Sequence, residues 1–126
     1  IGKGVKIGDY CKIQNNNSIY PGVTLDDGVF VGTNVTFIND KYPRAIRPDG
    51  QPVTGDDWEM EPTFVGRGAS IGAGAVIMCG VNIGPWAMVG AGSVVTKDIP
   101  SGVVAVGNPC RPIKKIDEID KDKYKE

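Results

Sequence analysis

Residues 65 to 95 read VGRGAS-IGAGAV-IMCGVN-IGPWAM-VGAGSV-V, and the reading of that stretch decides the fold. An aliphatic residue opens every block of six: Val65, Ile71, Ile77, Ile83, Val89 and Val95. Upstream the same period holds at Ile1, Ile7, Ile13, Ile19, Leu25, Val31 and Phe37. Ile, Val, Leu and Phe make up 32 of the 126 residues, so thirteen successive hits are not chance. Two residues before each anchor sits a second, mostly small residue, as at Ala69, Ala75, Val81, Ala87 and Ser93. The unit therefore runs in-out-in, the period of a short strand. Fourteen of the 18 glycines fall at the first or third position after an anchor, where a tight corner needs unusual dihedrals. A short strand and a corner every six residues predict a triangular prism, three strands to a coil, with coils stacked about 4.8 Å apart. The fold class expected is all-β, a parallel β-helix, with residues 1–112 as its domain.

Composition narrows the chemistry. Lys plus Arg number 14 against 15 Asp plus Glu, a balance that speaks against nucleic acid as a partner. No apolar run reaches membrane-spanning length, so no membrane span is expected. Cys11, Cys79 and Cys110 form no CxxC pair and read as free thiols in a reducing compartment, the cytoplasm. Histidine is absent, which removes His metal ligands, His general bases and Ser-His-Asp triads; no metal is expected. The chain opens at Ile1, inside the repeat, and we expect residues upstream of it.

Function is sought where the repeat breaks. The first break is a loop of about residues 39–62, holding Asn39, Asp40, Tyr42, Arg44, Trp58, Glu59 and Glu61. A loop that long in so small a domain is usually functional or disordered. Its polar and aromatic content suits polyol and phosphate recognition, while Asn39-Asp40 is also a common turn pair. The second break is the segment from Gly90 to Pro100, where Lys97 sits at the last regular corner; alone, it reads equally as a solvated charge. The third is GNPCRPIKKI, residues 107–116. From its last residues onward, Ile113, Ile116 and Ile119 lie at helical spacing, predicting a short capping helix over residues 113–126. Capping does not account for Arg111, Lys114 and Lys115, a cationic group suited to phosphates.

Together the hexads and the last two segments resemble the hexapeptide-repeat acyltransferases that use acetyl-CoA. That family's prism is left-handed, against the usual right-handed crossover. From Ile83 to Lys114 the chain is similar to galactoside and maltose O-acetyltransferases. By matching position, the resemblance implies that Ala73 and Ala91 give backbone contacts to acetyl-CoA, whose pantetheine arm lies in the groove between two prisms. Thr96 and Lys97 would line the same groove, and Arg111 and Lys114 would hold the nucleotide phosphates, Lys114 standing where that pattern has Arg. In those O-acetyltransferases a His before a Pro is the general base; here Tyr42 precedes Pro43. The stretches FINDKYPRA (37–45) and CKIQNNNSIY (11–20) instead resemble N-acetyltransferases acting on nucleotide-linked 3-amino sugars.

The resemblance implies an acetyl-CoA-dependent N-acetyltransferase in surface-polysaccharide precursor synthesis. An amine needs no strong base, so a chain without His suits it better than a hydroxyl acceptor. On this reading Asn39 and Asp40 are the candidate catalytic residues. Tyr42, Arg44, Glu59 and Glu61 would contact the sugar nucleotide. Two alternatives stay open: an O-acetyltransferase using Asp40, Glu59 or Glu61 as base, and a non-catalytic β-helix serving in assembly. Outward positions should be polar, yet Phe30, Val76, Met88 and Val94 are not. Val76 and Val94 should stack on one face, and an apolar stripe there predicts an interface. The family implies a homotrimer with active sites between subunits.

Overall fold

In the computed structural model, which describes residues 1–55 and 59–116, the regular elements are strands. Four coils of three strands follow one another: β1 (Lys6–Ile7), β2 (Lys12–Ile13) and β3 (Ser18–Ile19); then β4 (Val23–Leu25), β5 (Phe30–Val31) and β6 (Thr36–Phe37). After the loop come β7 (Thr63–Val65), β8 (Ser70–Ile71) and β9 (Val76–Ile77), then β10 (Asn82–Ile83), β11 (Met88–Val89) and β12 (Val94–Val95). Each strand pairs in parallel with its counterpart one coil away, as Lys6 with Thr24 and Val76 with Val94. Three sheets result: sheet A is β1-β4-β7-β10, sheet C is β3-β6-β9-β12, and sheet B holds β2, β5, β8 and β11. The chain is a left-handed parallel β-helix.

The anchors fill the interior. From Ile19 to Val95 every one of them is at most 3% exposed. Burying a side chain of this size stabilises by about 1.5–3 kcal/mol, and here the gain repeats on every strand. The first coil differs: Ile1 is 74% and Ile7 39% exposed, and among the described residues the second coil packs against one side of it only.

The loop does not disturb the register. Thr24 pairs with Phe64, Val31 with Ile71 and Phe37 with Ile77, the same offset on all three sheets. The loop therefore leaves one corner and returns to it.

At the far end the expected helix is corrected over its first residues. Residues 113–115 belong to β14 (Arg111–Lys115), which runs antiparallel to β13 (Val103–Val106) on sheet B. An open edge of unpaired N–H and C=O groups outweighs the helical spacing of Ile113 and Ile116. A turn at residues 107–110 seats itself on β12, with the Val94 N–H donating to Gly107 O at 3.0 Å. Ile116, 8% exposed, then closes against Gly102, to whose carbonyl its N–H donates at 2.8 Å. The remainder of the predicted helix, 117–126, lies outside the described residues.

Candidate functional site

The three corners of the prism carry different chemistry. The corner between sheets B and C is built by residues 14–17, 32–35, 72–75 and 90–93. Its coils approach closely: a Cβ on Gly72 would stand 2.5 Å from the Ala91 nitrogen. Only glycine allows that approach. Ala73 and Ala91 are exposed, and their N–H groups find no acceptor among the described residues. Their carbonyls differ, since Ala73 O accepts from the Gly92 N–H at 2.8 Å and knits the coils. Unpaired N–H donors, one coil apart on exposed residues, are thus left for a ligand.

Arg111 lies at the end of that line. It pairs with Val106, the last residue of β13 on the B/C side, while Lys114 pairs with Val104 nearer mid-sheet. Both cations are exposed, and neither makes an ion pair among the described residues. The Arg111 Nη1 donates to the Cys110 carbonyl at 3.3 Å, fixing its stem and leaving other donors open.

The corner between sheets C and A carries the other half of the predicted set. Thr96 and Lys97 follow β12 there, one coil beyond Cys79, and both are exposed. The structure therefore does not bring Thr96 and Lys97 to the corner of Ala73, Ala91 and Arg111 within one chain. The face of sheet C, with half-buried Val76 and Val94, separates them.

The loop leaves from this second corner. Asn39 and Asp40 are half-buried at its start. Asp40 Oδ1 accepts the Tyr42 N–H at 3.3 Å, so the turn role of this carboxylate is realised. Further out the loop folds on itself: the Val53 N–H donates to Ala45 O at 2.9 Å, and the Arg47 N–H to Gln51 O at 2.8 Å. Asp40, Tyr42, Arg44 and Arg47 line a cavity of about 260 Å³ with Ile46, Pro48 and Val53. Arg47, which the sequence reading left unassigned, joins Arg44 as a cation on that cavity. Its signal was the spacing Arg44-x-x-Arg47 before the Pro48-Asp49-Gly50 turn.

Glu59 and Glu61 do not line the cavity. Glu59 is exposed. Glu61 instead lies at the loop's neck, where Oε2 is 3.9 Å from Lys41 Nζ and 3.8 Å from Cys79 Sγ, whose thiol donates to it. Glu61 so joins the outgoing and returning ends of the loop above the next coil. Trp58 lies outside the described residues.

Neither buried thiol is a ready nucleophile. Burial, then the Glu61 charge, pushes the Cys79 thiol up. Burial also raises Cys110, against the lowering influence of Ser93 and Arg111. At neutral pH both stay protonated. No group of three metal-ligating side chains occurs among the described residues.

The family described as bacterial transferase hexapeptide (six repeats) matches residues 1–39 and 62–97, leaving out the loop. The galactoside O-acetyltransferase of Escherichia coli K12 is 40% identical over 104 residues, 81% of this chain and 48% of that protein. The dTDP-3-amino-3,6-dideoxy-alpha-D-galactopyranose 3-N-acetyltransferase of Aneurinibacillus thermoaerophilus is 63% identical over 49 residues, 39% of this chain and 26% of that protein. Among solved structures, a galactoside acetyltransferase in complex with coenzyme A superposes with a TM-score of 0.73 at 33% identity, covering 98% of this chain and 61% of the other. The chain spans about half the length of the first of these relatives.

Proposed function

The chain belongs to the bacterial hexapeptide transferases, and from that membership we propose that it moves the acetyl group of acetyl-CoA to the amine of a nucleotide-linked amino sugar. One observation carries the coenzyme half: the line of unpartnered N–H groups at Ala73 and Ala91 that ends at Arg111. An extended amide chain would accept from those donors, and a phosphate would take the open guanidinium. Lys114 would add charge there. Thr96 and Lys97 lie across sheet C, so one pantetheine arm meets both corners only if a neighbouring chain supplies the second. That need, with the half-buried Val76 and Val94 between the corners, supports a homotrimer whose active sites lie between subunits.

The amine acceptor rests on the absence of His and on the kinship with the 3-amino-sugar enzyme. A simple α-amino group titrates near about 7.7–8.0, so a useful fraction is neutral at cytoplasmic pH. Its lone pair attacks the thioester carbonyl, the C–S bond breaks, and the departing thiolate or a carboxylate takes the proton. Positioning then supplies much of the rate. Asn39 would hold a sugar hydroxyl or the carbonyl oxygen, and Asp40 would orient the amine from the mouth of the loop cavity. Tyr42, Arg44 and Arg47 suit the ring and phosphates of the carrier.

The second reading is sugar O-acetylation, favoured by the galactoside enzyme's longer match, 81% of this chain. An acceptor panel decides. Amino hexoses on nucleotide carriers should outrun their hydroxyl counterparts by at least about a hundredfold, the lower end of what a general base contributes. Equal rates on a hydroxyl sugar, with Asp40→Asn inactive, would establish the second reading. Absence of calorimetric CoA binding would remove both and leave an assembly module.

A further inference from the structure

The remaining corner, between sheets A and B, carries none of the candidate site residues discussed above, and it is built unlike its neighbour. In both corners the third position takes a left-handed backbone. The B/C corner meets that need with Asn16, Asn34, Gly74 and Gly92, at φ of 61°, 56°, 74° and 70°. The A/B corner uses Tyr10, Gly28, Gly68 and Trp86, at 60°, 70°, 69° and 61°. Asn and Gly tolerate this conformation, whereas a bulky aromatic residue there is an outlier and stores strain. Core burial does not offset it, since Tyr10 is 92% and Trp86 56% exposed.

The strained rings flank an open cavity. The Trp86 indole lies over Gly68 so closely that a Cβ there would meet three of its carbons at 2.6–2.7 Å. Tyr10, Asp27, Gly28, Arg67, Gly68 and Trp86 line a cavity of about 180 Å³. Arg67 is exposed and makes no ion pair among the described residues. Asp27 Oδ1 accepts the Asp9 N–H at 2.7 Å, which fixes the carboxylate on the cavity wall.

Each part names a complementary group. Aromatic faces take a flat ring, an unpaired guanidinium takes a phosphate, and a held carboxylate accepts from an N–H or a hydroxyl. We propose that the A/B corner binds a nucleotide other than the coenzyme, its base against Tyr10 and Trp86 and its phosphate at Arg67. This site lies opposite sheet C, away from Ala73, Ala91 and Lys97. It does not depend on acetyl transfer and is tested without turnover.

The experiment is calorimetry of the whole chain with uridine 5′-monophosphate, with and without saturating CoA. One site per chain is expected in both cases. Uridine and ribose 5-phosphate should each bind at least tenfold more weakly. Arg67→Ala and Tyr10→Gly should each weaken the nucleotide at least tenfold. Glycine suits the backbone of residue 10, so Tyr10→Gly should melt no lower than the parent chain, which separates lost binding from lost folding. The proposal is overturned if the nucleotide does not bind, if both variants bind it unchanged, if ribose 5-phosphate binds as well, or if CoA displaces it.

Discussion

The two corners that flank sheet C start from the same hexad and end with opposite properties. The B/C corner keeps the repeat through four coils, with Asn at the third position of its first two turns, Gly at that of its last two, and unpaired N–H groups at Ala73 and Ala91. The C/A corner abandons the repeat after Ile38 and carries the loop, the Glu61 clasp and Lys97. A regular corner offers the same donor at each coil rise, which suits a long linear ligand. An interrupted corner offers a shaped cavity and mixed charge, which suits a compact one. The proposed division of labour between a coenzyme arm and an acceptor draws on that contrast.

Removing the scaffold under both corners is the most severe way to break the contrast. Phe37 is fully buried and is the last anchor before the loop. Phe37→Ala should cost about 3–5 kcal/mol, read as a fall in the urea midpoint, with CoA and acceptor binding lost together. A substitution on the face between the corners tests whether two chains meet there. Val94→Lys would bury an unpaired charge in an interface, a cost of several kcal/mol, and should turn trimers into weakly active monomers by light scattering. A wild-type chain that is monomeric at micromolar concentration would contradict the shared site.

Finer changes sharpen the contrast by touching one corner only. Arg111→Ala removes a charge-assisted contact of about 1.5–3 kcal/mol, so CoA should bind at least about tenfold more weakly. The KM for the acceptor should hardly move; if it rises as much as the CoA Kd, the corners are not separable. The smallest effect belongs to the clasp. The Lys41–Glu61 pair is exposed, so Glu61→Gln should cost only about 0.2–1 kcal/mol. Its signature lies in Cys79. Burial and then the Glu61 charge hold that thiol above its ordinary pKa, so it gains thiolate only as pH rises. Removing the charge lowers the pKa. Labelling of Cys79 at pH 8, followed by mass spectrometry, should therefore speed up, and an unchanged rate would mean that Glu61 does not govern it.

The prism was legible in the sequence because each anchor contributes independently and the same contact recurs at every coil. Phe37 and Val65 are on phase with their sheets even though the loop separates them. Other features were hidden because they depend on partners that periodicity does not encode. Ile113 and Ile116 fit a helix, but the open edge of β13 captured the segment as β14. Glu61 fits a sugar ligand by type, yet Lys41 and Cys79 occupy it. Asp40 gives one oxygen, Oδ1, to the Tyr42 N–H of its own turn, a contact that residue type does not reveal. Ala91 and Lys97 stand on separate corners of one chain, so a groove holding both lies between two prisms, and only the topology displays that separation. Tyr10 and Trp86 stand where the backbone favours Gly or Asn, and only the φ angles expose that conflict.

The constant register across the loop also bears on how the chain folds. On either side of the loop a strand finds its partner 18 residues away, as Lys6 with Thr24 and Asn82 with Phe64. Across the loop that distance becomes 40, as for Thr24 with Phe64. Chain-closure entropy rises with the logarithm of the separation, so each pairing across the loop starts about 0.7 kcal/mol behind its neighbours. Residues 63–106 should therefore zip up as one block and residues 6–37 as another, with docking of the two as the slow step. The loop that carries the Asp40–Val53 cavity is thus also the tether between the two blocks, which join along all three sheets.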